Sequence, residues 1–198
     1  MTTIPIHSLF GVIGPIVAWS FALLLSIASL CCMVATLRSP RRPLVYVASG
    51  LLAIAVVLVI LPGQHAPLVF QVLIGIVAIA LSVAGGGPAS QVVLALASRA
   101  TVAGANGGIV VHDRVDGHDG TREVLRGGTT IGFLERFATT GAIIAGFPEA
   151  IAVLVAIKGV GRFTELDAAE ARERFIIGTL TSLVWACVCA ALFRIAAG

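Results

Sequence analysis

LVYVASGLLAIAVVLVIL, residues 44–61, decides the class of fold: an uncharged, almost wholly apolar run bounded by Arg41-Arg42-Pro43 on one side and Pro62-Gly63 on the other. A helix crosses a hydrocarbon core of roughly 30 Å with about 20 apolar residues, so this run is long enough to span a bilayer. The same character extends outward from it. No Asp, Glu, Lys or Arg occurs from Met1 to Leu37 or from Leu44 to Ser98. Over all 198 residues, 58% are hydrophobic and 12% are charged, whereas charged residues make up about 25% of an average soluble domain. These figures exclude a soluble enzyme, a disordered chain and a free nucleic-acid binder. The partner they imply is the lipid bilayer, with no nucleic acid.

Scanning for further spans gives an all-α, polytopic transmembrane bundle forming one domain over residues 1–198, with about five crossings. The expected spans are residues 10–37, 44–61, 68–84, 131–157 and 175–193. Pro5 and Gly14-Pro15 kink or delay the start of the first. Gly85-Gly86-Gly87-Pro88 closes the third, leaving residues 89–99 as an interfacial stub, with continuation of the helix through the glycines as the alternative. Residues 100–130 are rich in glycine and charge and read as a short cytoplasmic loop or β-hairpin around Asp116-Gly117-His118-Asp119-Gly120. Asp167 and Glu170 stand as N-cap and capping-box partner of the last helix. Cys31, Cys32, Cys187 and Cys189 lie in the first and last apolar segments, with no ligand spacing, and read as small buried hydrophobes.

Basic residues fix orientation through the positive-inside bias. With five crossings and the N-terminus outside, nine cations fall on cytoplasmic segments and four on the outer ones, placing the C-terminus in the cytoplasm. The four outer cations, Lys158, Arg162, Arg172 and Arg174, crowd one short loop, where the bias should be strictest. A re-entrant hairpin turning at Gly146-Phe147-Pro148 moves them to the cytoplasmic side, a turn tolerated only inside protein or against water.

Glu149 falls near the middle of the 131–157 stretch, where a carboxylate is costly. Two readings stand: an ion or proton site, or a hydrogen-bonded glutamate joining helices. Lys158, Arg162 and Arg136 bracket the same stretch and suit a lipid headgroup or an interfacial anchor. Gly178, Thr179 and Ser182 give the last helix a small, hydrogen-bonding face, and Gly141 with Gly146 a looser one on the fourth. His112, Asp116 and His118, with Asp113 and Asp119, offer metal-ligand types at a spacing that matches no defined motif, so solvated turn residues are the simpler reading. No cofactor is implied.

The stretches Leu125–Arg136, Gly146–Glu149, Ala156–Leu166 and Glu173–Trp185 resemble an uncharacterised group of bacterial multi-pass membrane proteins. The shared features are a Gly-x-Leu-Glu-Arg opening, a Lys-x-x-x-Arg-Phe-x-Glu-Leu linker and a Phe-Ile-Ile-Gly-Thr-x-x-Ser helix. The resemblance implies a location in the bacterial cytoplasmic membrane and no activity. The expected function is a small transport-class component, channel or carrier, working as a homo-oligomer or within a larger membrane complex, with Glu149 as its titrating group. A non-catalytic subunit or scaffold is the alternative, and a membrane-embedded enzyme acting on lipid is the less favoured third.

Overall fold

The computed structural model describes the backbone of residues 6–97, 109–113, 120–124, 128–162 and 169–198, with side chains for 13–97, 128–161 and 171–198. Six helices are formed: α1 (Ile6–Arg38), α2 (Arg42–Ile60), α3 (Leu68–Ala97), α4 (Gly128–Ile144), α5 (Ala150–Arg162) and α6 (Ala169–Ala197). Four of them, α1, α2, α3 and α6, are long and apolar enough to cross a membrane. Between α3 and α4 the strands β1 (Ile109–Asp113) and β2 (Gly120–Val124) pair antiparallel, Ile109 opposite Val124 and Asp113 opposite Gly120. Of the two expected forms, hairpin or irregular loop, the paired strands are those of a hairpin, while its Asp116 to Asp119 turn lies outside the described residues.

α1 and α2 form the first layer. The buried residues of α1, Trp19, Ala22, Ser26, Ser29, Met33 and Thr36, alternate steps of three and four, and Val45, Ala48, Leu52, Ala55 and Val59 repeat the pattern on α2. That spacing is the seam of a left-handed coiled pair, and its small residues let the two helices approach closely. The Ser29 hydroxyl donates across the seam to the Ala48 carbonyl at 2.8 Å. Pro15 sits inside α1 rather than delaying it.

The glycine-proline run 85–88 does not end the third span. α3 continues through it to Ala97, so residues 89–97 belong to that helix and not to a separate interfacial stub. A proline inside a helix removes one donor and leaves Ala84 without its usual partner. Packing on both sides of α3 outweighs that loss, since Gly85, Gly86, Pro88 and Ala89 are all buried.

The stretch expected as one span from 131 to 157 is two shorter helices. α4 ends at Ile144 in a Schellman motif: Phe147 N donates to Ala142 O at 2.8 Å and Gly146 N to Ile143 O at 3.1 Å, with Gly146 at φ +82°. Pro148 follows, and α5 starts at Ala150. α5 then folds back along α4. Lys158 Nζ donates to Glu135 Oε2 at 2.5 Å, whereas an unbroken helix would hold residues so far apart in sequence about 35 Å from each other. The stretch is thus a helical hairpin that reverses direction, and the helices long and apolar enough to cross are the other four.

One consequence concerns the termini. Ala66 N, just before α3, donates to Ala196 O near the end of α6 at 2.8 Å. With α1 antiparallel to α2 and α2 to α3, the N-terminal end of α1 and the C-terminal end of α6 share one end of the bundle. The expectation of termini on opposite sides rested on one continuous helix over 131–157, which is instead two helices joined by the turn at Gly146-Phe147-Pro148. In a variant lacking the native cysteines, single cysteines at Ser39 and Gly161 are expected to react with an impermeant maleimide from the same side of the membrane, and one at Gln64 from the other. Labelling of Gly161→Cys together with Gln64→Cys would instead require a continuous fourth span.

Candidate functional site

α3, α4 and α6 meet along a line of polar side chains. Arg136 on α4 is only 5% exposed. Its Nε donates to the Val83 carbonyl and one terminal nitrogen to the Ser182 hydroxyl, each at 3.1 Å. Its guanidinium lies 5.3 Å from the Phe133 ring centroid, a cation–π distance. One turn deeper, the Thr140 hydroxyl donates to Ser82 Oγ at 2.6 Å, and Ser82 Oγ reaches the Arg136 carbonyl at 3.4 Å. On the far side of α3, Trp185 Nε1 donates to Leu81 O at 3.0 Å. Nearer the end of α3, Ser90 Oγ lies 2.8 Å from Gly86 O and 3.0 Å from Gly178 O.

Two glycines make this approach possible. A Cβ on Gly86 would overlap Arg136 Cδ, and one on Gly85 would stand 2.5 Å from the Trp185 indole. Gly87, the third of the run, has open space where its Cβ would be. Gly85 and Gly86 are therefore notches in α3, one for an aromatic ring and one for a guanidinium stem, and their effect is close packing rather than a hinge.

The described partners of Arg136 are a carbonyl, a hydroxyl and a ring, all neutral. The adjacent carboxylate, Glu135, instead carries the ion pair with Lys158, whose ammonium also lies 5.6 Å from the Phe175 ring centroid. Arg136 and Lys158, expected at a lipid headgroup or as interfacial anchors, make their described contacts within the protein. Arg162 closes α5, and its side chain is outside the described residues. The pairing also joins the Gly-x-Leu-Glu-Arg stretch to the Lys-x-x-x-Arg linker, two of the segments on which the resemblance rests.

Depth follows from helical rise. Ala145 lies about 15 Å along α4 from Glu135. Thr140 meets Ser82, which sets Ala145 about 14 Å from the level of Leu68, where α3 begins. The turn from Ala145 to Glu149 therefore falls about midway between the level of Glu135 and that of Leu68. Ala145 through Ala150 are exposed on the surface of the chain, Glu149 among them. No described residue bonds to the Glu149 side chain.

The remaining expected residues separate. Ser182 accepts from Arg136, and the Gly178 carbonyl accepts from Ser90. Thr179 is half-buried. Gly141 has open space around its Cβ position, so it does not mark a tight helix contact, and Gly146 serves the turn. His112 is on β1 opposite Thr121, its side chain outside the described residues together with Asp116 and His118. Among the described residues there is no group of three or more His, Cys, Asp or Glu able to hold a metal. Sequence reading missed the buried role of Arg136; the available signal was Gly132, Thr139 and Thr140 beside it on the same helix.

Comparison of the chain with protein-family models, with curated proteins and with solved structures finds no match.

Gly86→Ala is expected to destabilise the folded protein by about 1–3 kcal/mol, because the new methyl overlaps Arg136. Gly87→Ala, one residue on, is expected to be neutral or to stabilise by up to about 1 kcal/mol through helix propensity. Unfolding of both variants in one detergent checks the contrast, and equal effects would remove the notch from the account.

Proposed function

We propose that this integral membrane protein is a small transport-class component, a channel or carrier that acts as an oligomer, with Glu149 as its protonatable group. What supports the reading is the α4–α5 hairpin, whose turn leaves Glu149 exposed on the outer surface of the chain; with Glu135 and the start of α3 at the two edges of the hydrocarbon layer, that turn would lie at mid-depth. An irregular turn at that depth is tolerated only against protein or a water-filled space, and a carboxylate there is costly against lipid. A second copy or a water path over the hairpin answers both demands. α5 also begins at this point, so the positive end of its dipole faces the same region. Half-helices meeting at mid-depth are how many transporters build an ion site.

The distribution of cations supports an orientation. With four crossings, every Lys and Arg except Arg194 belongs to the bundle end that carries the α1–α2 turn or to the segments that join helices there. We place that end in the cytoplasm by the positive-inside bias, with both termini outside. The cytoplasmic membrane of a bacterium is the location that the resemblance implies.

In liposomes holding a trapped pH-sensitive dye and a potassium diffusion potential, the wild-type protein is expected to conduct protons. Glu149→Gln is expected to lower the rate by at least tenfold, on the order of what loss of a positioned proton-transfer group costs, with unchanged mass in mild detergent. A wild-type rate equal to that of empty liposomes, or an undiminished variant, overturns the reading. Loss of assembly in Glu149→Gln without any wild-type flux would favour the subunit or scaffold reading.

A further inference from the structure

The turn between α1 and α2 carries Arg38, Arg41 and Arg42 within five residues, all exposed. No described residue pairs with any of the three guanidinium groups. Arg41 is the extended N-cap of α2 and makes no side-chain capping bond, and a proline occupies the first turn. Among the described residues, three exposed cations thus stand together at one end of the bundle without an anion.

The surface beneath them is equally specific. Leu37, one residue before Arg38, and Val34, one turn before it, are exposed at 49% and 39%. On α2, Tyr46 lies one turn after Arg42 and is 53% exposed, with Val47 beside it at 51%. Tyr46 is the single tyrosine of the chain, and no described residue bonds to its hydroxyl. A tyrosine at this depth has its ring among acyl chains and its hydroxyl among headgroups.

We propose that Arg38, Arg41, Arg42 and Tyr46 form a binding site for an anionic phospholipid. The guanidinium groups hold the phosphate, for which their forked donors are well matched. Tyr46 meets the glycerol region, and Val34, Leu37 and Val47 lie along the acyl chains. The apolar part is what selects a lipid over a free phosphate, which has nothing to place there. Lys158 and Arg136, the cations expected to do this work, are occupied by Glu135 and Ser182. The site is independent of Glu149 and of any flux.

The test is a titration of the purified full-length protein with phosphatidylglycerol and phosphatidylcholine, read by melting temperature in mixed micelles and by retained lipid in native mass spectrometry. Wild type is expected to prefer phosphatidylglycerol, and Arg41→Gln with Arg42→Gln is expected to weaken that binding about thirtyfold, from the usual contribution of a basic residue at an anionic surface. Its melting temperature in phosphatidylcholine should stay at the wild-type value, because both side chains are exposed. Arg41→Lys with Arg42→Lys should keep most of the preference. Equal binding of the two lipids by wild type, or an unweakened Arg41→Gln and Arg42→Gln variant, overturns the proposal. Inorganic phosphate raising the melting temperature as much as phosphatidylglycerol does would also overturn it, by making the ligand a free anion.

Discussion

A donor or charge buried inside the protein has no water to turn to, and the seating of Arg136 between α3 and α6 shows what that demands. Its nitrogens reach an oxygen on each neighbouring helix, and its stem lies where Gly86 leaves no side chain. Burying a charge costs several kcal/mol unless hydrogen bonds offset it, so oxygen placement and notch form one device. Elsewhere in the bundle hydroxyls satisfy themselves locally. Ser20, Ser26, Thr36, Ser49 and Thr181 each return to the carbonyl four residues earlier. Only Ser29 crosses the α1–α2 seam among the described hydroxyls there, whereas Ser82, Ser90 and Thr140 all reach other helices in the α3–α4–α6 group. One half is joined by apolar interdigitation, the other by a polar line.

The same division explains where the re-entrant hairpin is firm. α4 is fixed at mid-length by Arg136 and one turn further on by Thr140. Beyond Thr140 its bonds are those of its own Schellman turn. α5 is tied at the opposite end, through Lys158 to Glu135 and the Phe175 ring. The Lys158 anchor sits towards the charged loops, and the tip with Phe147, Pro148 and Glu149 is exposed. Segments with few buried contacts open first in native-state fluctuations. A tip of this kind changes shape at little cost to the bundle, which is compatible with a site that must admit and release an ion.

Much of this was legible from residue order. The uncharged runs between arginine-proline clusters set the long helices, and Gly146-Phe147-Pro148 carries the C′ glycine and following proline of a helix stop. Gly85-Gly86-Gly87-Pro88 has the same letters and the opposite outcome. A glycine that ends a helix and a glycine that admits a neighbour are identical in sequence; the difference is whether Trp185 and Arg136 are in front of it, and neither is close in the chain. Lys158 and Glu135 present the same difficulty. Each looks like an interfacial charge until the chain reverses between them and makes them partners. Glu149 is the converse case, since its depth follows from counting residues, but its expected companion within the bundle is not among the described residues.

Two unrelated features of the chain agree on the topology. The break at Gly146 and Pro148 arises from backbone geometry, a left-handed residue and a missing donor, and knows nothing of charge. The placement of cations arises from membrane insertion and knows nothing of helix stops. Five crossings set these against each other, since Lys158, Arg162, Arg172 and Arg174 would then lie on the side that the bias disfavours. Reversal at the break brings all four to the end of the bundle that holds Arg38, Arg41 and Arg42, and leaves Arg194 alone at the other. A short hairpin in place of a fourth full span is therefore the arrangement in which the helix stop and the charge asymmetry need no separate explanation.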